Sequence, residues 1–435
     1  MTFFAGQTGQ MAWINAVDAE AEANTAKGLA HDAALAALPT TYATAATVTA
    51  AVATASSSLI PKGSLVLNVR DFGATGNGST DDTVAIQAAL NAVALPGAIV
   101  FFPPGDYKVT SLTVSSRPTR LVGAGWASSL VTPSPSANLL TIPSATSQIT
   151  VEHLYFRSSV TRTGGWYVNN LSNNFRMSNF HMLGASGGIR STGTVVTIER
   201  GSMRDGVGGT GIGIQIDDGY DVSIRDVVMA NAVNLFAGIK VTQCGDLTIE
   251  DCNLMVCGDT LVLNPGAGQV IASVYANNTF FDTAVRGLNI YTAGGSVVRS
   301  IFSQCWFSSH TQGGIVIDGS GATNGVDFIG CHVFLCGTDG IKLLGSNILN
   351  IRFNGCAVGG NSGAGFTVVA GVSRFAIQNC RIGNAHGTGA NLYPIYIAGG
   401  ASTGYIITGN DMSGNTNAMA DGGTGTKVVA NNLVA

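Results

Sequence analysis

Ile249-Glu250-Asp251-Cys252-Asn253-Leu254 is the stretch that decides the fold. It reads as an apolar residue, two variable residues, a small residue, one variable residue and a second apolar residue. The same pattern returns at Phe302 to Phe307, Phe328 to Val333, Phe353 to Val358 and Ile377 to Ile382. Its fourth position defines a column: Leu154, Phe180, Gly201, Val227, Cys252, Asn278, Cys305, Cys331, Cys356, Cys380, Asn410 and Asn432. From 154 to 432 is 278 residues over eleven steps, about 25 per step, a period in the solenoid range.

A second signature, Gly-apolar-x-apolar, lies about ten residues after most column members. It appears at Gly213-Ile214-Gln215-Ile216, Gly238-Ile239-Lys240-Val241, Gly287-Leu288-Asn289-Ile290, Gly314-Ile315-Val316-Ile317, Gly340-Ile341-Lys342-Leu343 and Gly365-Phe366-Thr367-Val368. Each repeat therefore holds three short stretches of period-2 alternation. Strands separated by such tight corners cannot pair within one coil, so they pair with the same strand of the next coil, about 4.8 Å away. Parallel strands joined by crossovers coil right-handed. The sequence predicts an all-β fold, a right-handed parallel β-helix, with the cysteines as compact, reduced thiols in an inward column.

Composition agrees. Of 435 residues, 46% are hydrophobic but only 11% are charged, and 58 are glycine. Ordinary domains carry about 25% charged residues. The net charge is −4 and no Lys/Arg cluster occurs, which argues against a nucleic-acid partner. No apolar run approaches the ~20 residues of a membrane helix. The start, Met1-Thr2-Phe3-Phe4, lacks the basic n-region of a signal peptide, so synthesis in a cytoplasm is expected. The eight cysteines show no zinc-type pairing, clustered calcium-type carboxylates are not evident, and neither a metal nor another cofactor is expected.

Three regions follow. Residues 1–62 are rich in Ala and Thr, with helix favoured over Ala19 to Ala37; they read either as a narrow multi-chain bundle or as a linker. Residues 63–147 form an opening module. In it Asp81-Asp82 lead an amphipathic helix with Val84, Ile86, Ala89, Leu90 and Val93 on its apolar positions, placed to cap the first coils. Residues 148–435 form the regular coils. No second cap follows them, so that end is expected to be covered by another chain or by self-association.

The opening module resembles that of the pectate-lyase-like superfamily. The resemblance rests on Asn68-Val69-Arg70-Asp71-Phe72-Gly73-Ala74, then Asp81 to Leu90, then Val100-Phe101-Phe102-Pro103-Pro104-Gly105-Asp106-Tyr107. It implies a bacteriophage tailspike or minor tail protein, or a bacterial polysaccharide-degrading enzyme. For a tail protein it further implies a homotrimer on the virion, attached through residues 1–62 and in contact with other phage tail proteins, that binds and in some cases cleaves a host surface polysaccharide. A structural tail component without glycan activity, whose coils only space or cap other subunits, is a further alternative. The Asp, His-Gly and Arg-x-Lys set of polygalacturonase-like relatives is not matched, so that activity is not carried over.

Two groups of side chains are candidates for function. Asp226 and Asp251 occupy one outward corner on successive coils, beside Glu250, and carboxylates stacked at about 4.8 Å approach the 5–5.5 Å separation of retaining glycosidases. Corner Asp residues also serve turns, and both roles stay open. Trp306 and His332 each follow the column by one residue and should point outward on adjacent coils. Trp166, Tyr167 and Tyr291 are further exposed platforms for sugar rings. Burial in a subunit interface is the competing role for these aromatics. Asp71, Asp81 and Asp82 read as turn and cap residues.

Overall fold

The computed structural model describes residues 65–114, 117–205, 211–230, 235–255, 258–400 and 402–434. The segment 1–62 with its expected helix lies outside the described residues, as do Cys257 and Ala435. The described chain is an all-β solenoid of about 13 turns, and every ladder between its strands is parallel. Each coil presents three faces. On the first, Val66–Asn68 pairs with Ala98–Phe101, then Thr119–Val122, then Ser147–Glu152, and the series continues to Lys427–Ala430. The second face follows after a one-residue corner and includes Asn253–Met255, Phe280–Asp282, Trp306–Ser308 and His332–Phe334. The third is a 13-stranded sheet from Leu112–Thr113 to Ala420–Gly423. Coiling thus begins before residue 148, inside the opening module.

Alternation fills the interior. Leu247 and Ile249 point inward before the corner, and Cys252 and Leu254 after it. Like side chains stack from coil to coil: Phe302 on Phe328 at 5.1 Å between ring centroids, and Phe328 on Phe353 at 4.7 Å. Such pairs add about 0.5–1.5 kcal/mol each beyond their burial.

The turn from the first to the second face takes one residue in left-handed backbone conformation. His153, Asn179, Arg200, Asp226, Asp251, Asn278, Gln304, Gly330, Gly355, Asn379, Gly409 and Asn431 fill this position, all with φ between 45° and 70°. A second left-handed series opens the first face: Gln148, Asn174, Val195, Asp221, Asp246, Ser273, Arg299, Gly325, Asn350, Arg374 and Gly404. The first series corrects one expectation. Asn278 is an exposed corner residue, and the buried member of the small inward column is Thr279. The Thr279 hydroxyl accepts from the Cys252 amide, continuing the ladder in which the Asn410 side chain accepts from the Cys380 amide and Asn432 from the Asn410 amide.

The helix, α1, spans Thr83–Asn91 and buries Ile86, Ala89 and Leu90, while Val84 is exposed despite its apolar spacing. Asp81 accepts from the Thr83 amide at 3.0 Å and caps α1. Asp82 instead gathers the preceding loop, accepting from the amides of Thr75 at 2.7 Å and Gly76 at 3.0 Å. The capping role of α1 has a direct cause. Gln87 donates to the Thr113 carbonyl and accepts from the Thr113 amide, both at 2.9 Å. Its amide satisfies backbone groups that the first third-face strand leaves without a neighbouring strand.

The seven described cysteines are free and buried. Burial pushes the thiols of Cys244, Cys252 and Cys336 from the ordinary 9.0 up to about 12. The unfolded chain releases these protons from about pH 9 while the folded chain keeps them, so stability is intact below pH 9 and falls as pH rises toward 12. A thiol reagent at pH 8 is expected to leave the seven described cysteines unlabelled in the native protein and to label them in denaturant, read by peptide mass spectrometry. Val195 is the one β-branched residue in the described left-handed series, at φ 53°, where an L side chain costs about 1–2 kcal/mol. It is exposed, so V195N loses little burial and is expected to stabilise the fold by about 1 kcal/mol, read as a higher urea midpoint.

Candidate functional site

The second face carries one outward row in continuous register: Tyr155, His181, Ser202, Val228, Asn253, Phe280, Trp306, His332 and Ala357. Aromatics gather at two places on it. At the first, Trp306 stacks on His332 at 5.2 Å with planes 20° apart, and Phe280 lies 6.0 Å from Trp306 on the other side. Phe334 buttresses Trp306 edge-on at 5.0 Å. Phe280 is 45% exposed, and Trp306 and His332 are half-buried. Trp306 and His332 stand in register on adjacent coils.

The second cluster was not singled out from the sequence. Trp126, on the 3-10 turn Gly125–Ala127, lies flat on His181 at 3.6 Å and 5.2 Å from Tyr155. Trp126 is 62% exposed, so its outer face is open. His181 Nδ1 is 2.8 Å from the Ser202 hydroxyl. Burial, and then Arg204, hold this imidazole below the ordinary 6.5. Beneath, Asp106 accepts from the Ser129 hydroxyl and pairs with Arg157 at 2.7 Å, which keeps its carboxyl below the usual range. Tyr155 and His181 each follow a column residue by one, so the rule that selected Trp306 also reaches them; Phe280 is reached only once Thr279 replaces Asn278 in the column. Trp126 comes from a turn outside the repeat and has no such signal.

The remaining candidates separate. Tyr167 is not an exposed platform. Its ring is fully buried, its hydroxyl donates to the Leu183 carbonyl at 2.6 Å, and Arg162 covers it at 5.1 Å. Tyr167 stands at the corner just before the third-face strand that Val168 opens, and there it packs inward against Phe156 at 6.3 Å between ring centroids. Trp166 is half-buried and lies over Gly187, where an added Cβ would meet its ring at 2.8 Å. Tyr291 is 48% exposed, on the third face opposite Asp318.

Asp226 and Asp251 are exposed corner residues at φ 50° and 54°. Asp251 accepts from the Asn278 side chain on the next corner at 2.7 Å, and Glu250 pairs with Arg225 at 3.2 Å. Among the described residues no group of three or more His, Cys, Asp or Glu side chains could hold a metal ion, and no helix is long and apolar enough to cross a membrane.

Residues 66–279 match the family model described as rhamnogalacturonase A/epimerase, pectate lyase-like. This chain carries a pectate-lyase-like β-helix. The mannuronan C5-epimerase AlgE3 of Azotobacter vinelandii is 42% identical over 73 residues, which is 15% of this chain and 4% of that relative's length. Among solved structures, the Dettilon tailspike protein superposes with TM-score 0.61 at 14% identity, over 72% of this chain and 66% of its own. The A-module of the A. vinelandii epimerase AlgE6 gives TM-score 0.53 at 17% identity, over 85% of this chain and 99% of its own. At these identities the β-helix is what the structures share.

The Trp126–His181 stack has a direct readout. The His181 imidazole is expected to titrate below 6.5 by NMR, and W126A, by uncovering the ring, to move that midpoint upward.

Proposed function

We propose that this chain is a phage tail protein, a tailspike or minor tail protein, that binds a polysaccharide on the host cell surface. The observation that carries this reading is the outward aromatic row of the second face, where Phe280, Trp306 and His332 stand in register. Stacked rings with one apolar face and polar surroundings suit the apolar faces of sugar rings. The likeness of the fold to a tailspike protein supports the phage context. The same reading makes the protein part of a virion, a homotrimer, and a neighbour of other tail proteins. Trp306→Ala is expected to weaken binding to the host polysaccharide at least about ten-fold, measured by calorimetry, with the melting temperature as a control for folding. Undiminished binding by W306A, or absence of the protein from purified virions, would sink this reading.

A second reading, a bacterial glycosidase or lyase, draws on the enzyme names among the relatives and on the carboxylates of Asp226, Glu250 and Asp251. It differs in outcome: new reducing ends or unsaturated ends appear in a polysaccharide digest, and D226A or D251A abolishes them.

A further inference from the structure

We infer that the outer surface of the first face holds a second binding site, for an acidic sugar residue of the polysaccharide, in a groove edged by Arg299 and Arg374. This inference rests on the glycan reading above. The groove has a volume of about 540 Å³. Arg299 and Arg374 belong to the same left-handed corner series, three coils apart, which sets their backbones about 14 Å from each other. Gly325 and Asn350 stand between them and leave the gap open. Arg352 is occupied within the groove, where its guanidinium holds both carboxylate oxygens of Asp327. The guanidinium groups of Arg299 and Arg374 form no ion pair among the described residues.

The chain as a whole is net −4, so two cations without counter-ions over one groove are a local arrangement. Among the described residues Asp327 is the one carboxylate on the groove, and Arg352 pairs with it. The floor follows the outward row Tyr275, Ile301, Asp327, Arg352, Ala376 and Ile406, so two apolar patches, Tyr275 with Ile301 and Ala376 with Ile406, flank the Asp327–Arg352 ion pair. An apolar patch beside a guanidinium, as Ile301 beside Arg299, fits a sugar ring that lays one face on Ile301 and presents an anionic substituent to the guanidinium fork. A phosphodiester backbone would find its charges served but nothing to cover the apolar patches. The site lies on a different face from Trp306 and is separate from the corner carboxylates of Asp226 and Asp251.

The test is a glycan array carrying carboxylated, sulfated and neutral glycans, probed with the full chain. The variants are R299N/R374N and W306A. Asn keeps the left-handed corner conformation while removing both charges, and circular dichroism confirms the fold. The expected result is that the wild-type hits carry carboxylate or sulfate, fade as salt rises, and weaken at least about ten-fold in R299N/R374N. Hits confined to neutral glycans, or acidic hits that R299N/R374N keeps while W306A loses them, overturn the groove and leave the glycan reading standing. Silence of the wild-type protein across the whole array overturns both.

Discussion

Each coil has to leave one strand and enter the next within a single residue, and that residue takes the left-handed backbone conformation. The requirement recurs at two corners of nearly every coil. It fixes which side chains point inward on either side of the turn, because a one-residue corner preserves the alternation of both strands. With corners held, the strands of successive coils fall into parallel register and inward side chains stack on their own kind. The Phe302–Phe328–Phe353 stack and the Cys column are consequences of that register.

The same requirement bears on the acidic residues. Asp and Asn tolerate the left-handed region better than other side chains because their short polar groups bond locally. Asp221, Asp226, Asp246 and Asp251 all stand at such corners. Their alignment therefore has a conformational cause sufficient by itself, and the Asn278–Asp251 hydrogen bond ties one corner to the next. Any chemical role for Asp226 and Asp251 is added to a position the backbone already demands.

The repeat was legible where it carries a small residue after each corner. Cysteines at 305, 331, 356 and 380 keep a nearly constant spacing, and they gave the period and the inward side. Reading failed where that marker is missing. In the coils before residue 148 the turn from the first to the second face takes several residues, 102–104 and 123–127, so no small residue recurs there at a fixed offset. Asn278 and Thr279 are both small and polar, so composition could not say which one turns the corner and which one faces in. Tyr167 sits just before the third face, outside the column whose phase was known. Arg162 covers its ring and donates to the carbonyls of Ser134, Ala137 and Gly164, contacts that no local pattern encodes.

Positions where the corner rule is broken then become informative. Most left-handed corners carry Gly, Asn or Asp, which meet the conformation at least cost. Arg200, Arg299 and Arg374 do not, and a long side chain gains nothing locally from that conformation. For Arg200 the structure supplies a reason, since its guanidinium pairs with Glu199 at 2.8 Å and its Nε donates to the Asn179 side chain at 3.1 Å. Arg299 and Arg374 have no such pairing among the described residues, yet they incur the same backbone cost on two coils that edge one groove. The fold supplies no partner for either guanidinium among the described residues, and the chemistry at that groove is two guanidinium groups beside apolar patches that flank the Asp327–Arg352 ion pair.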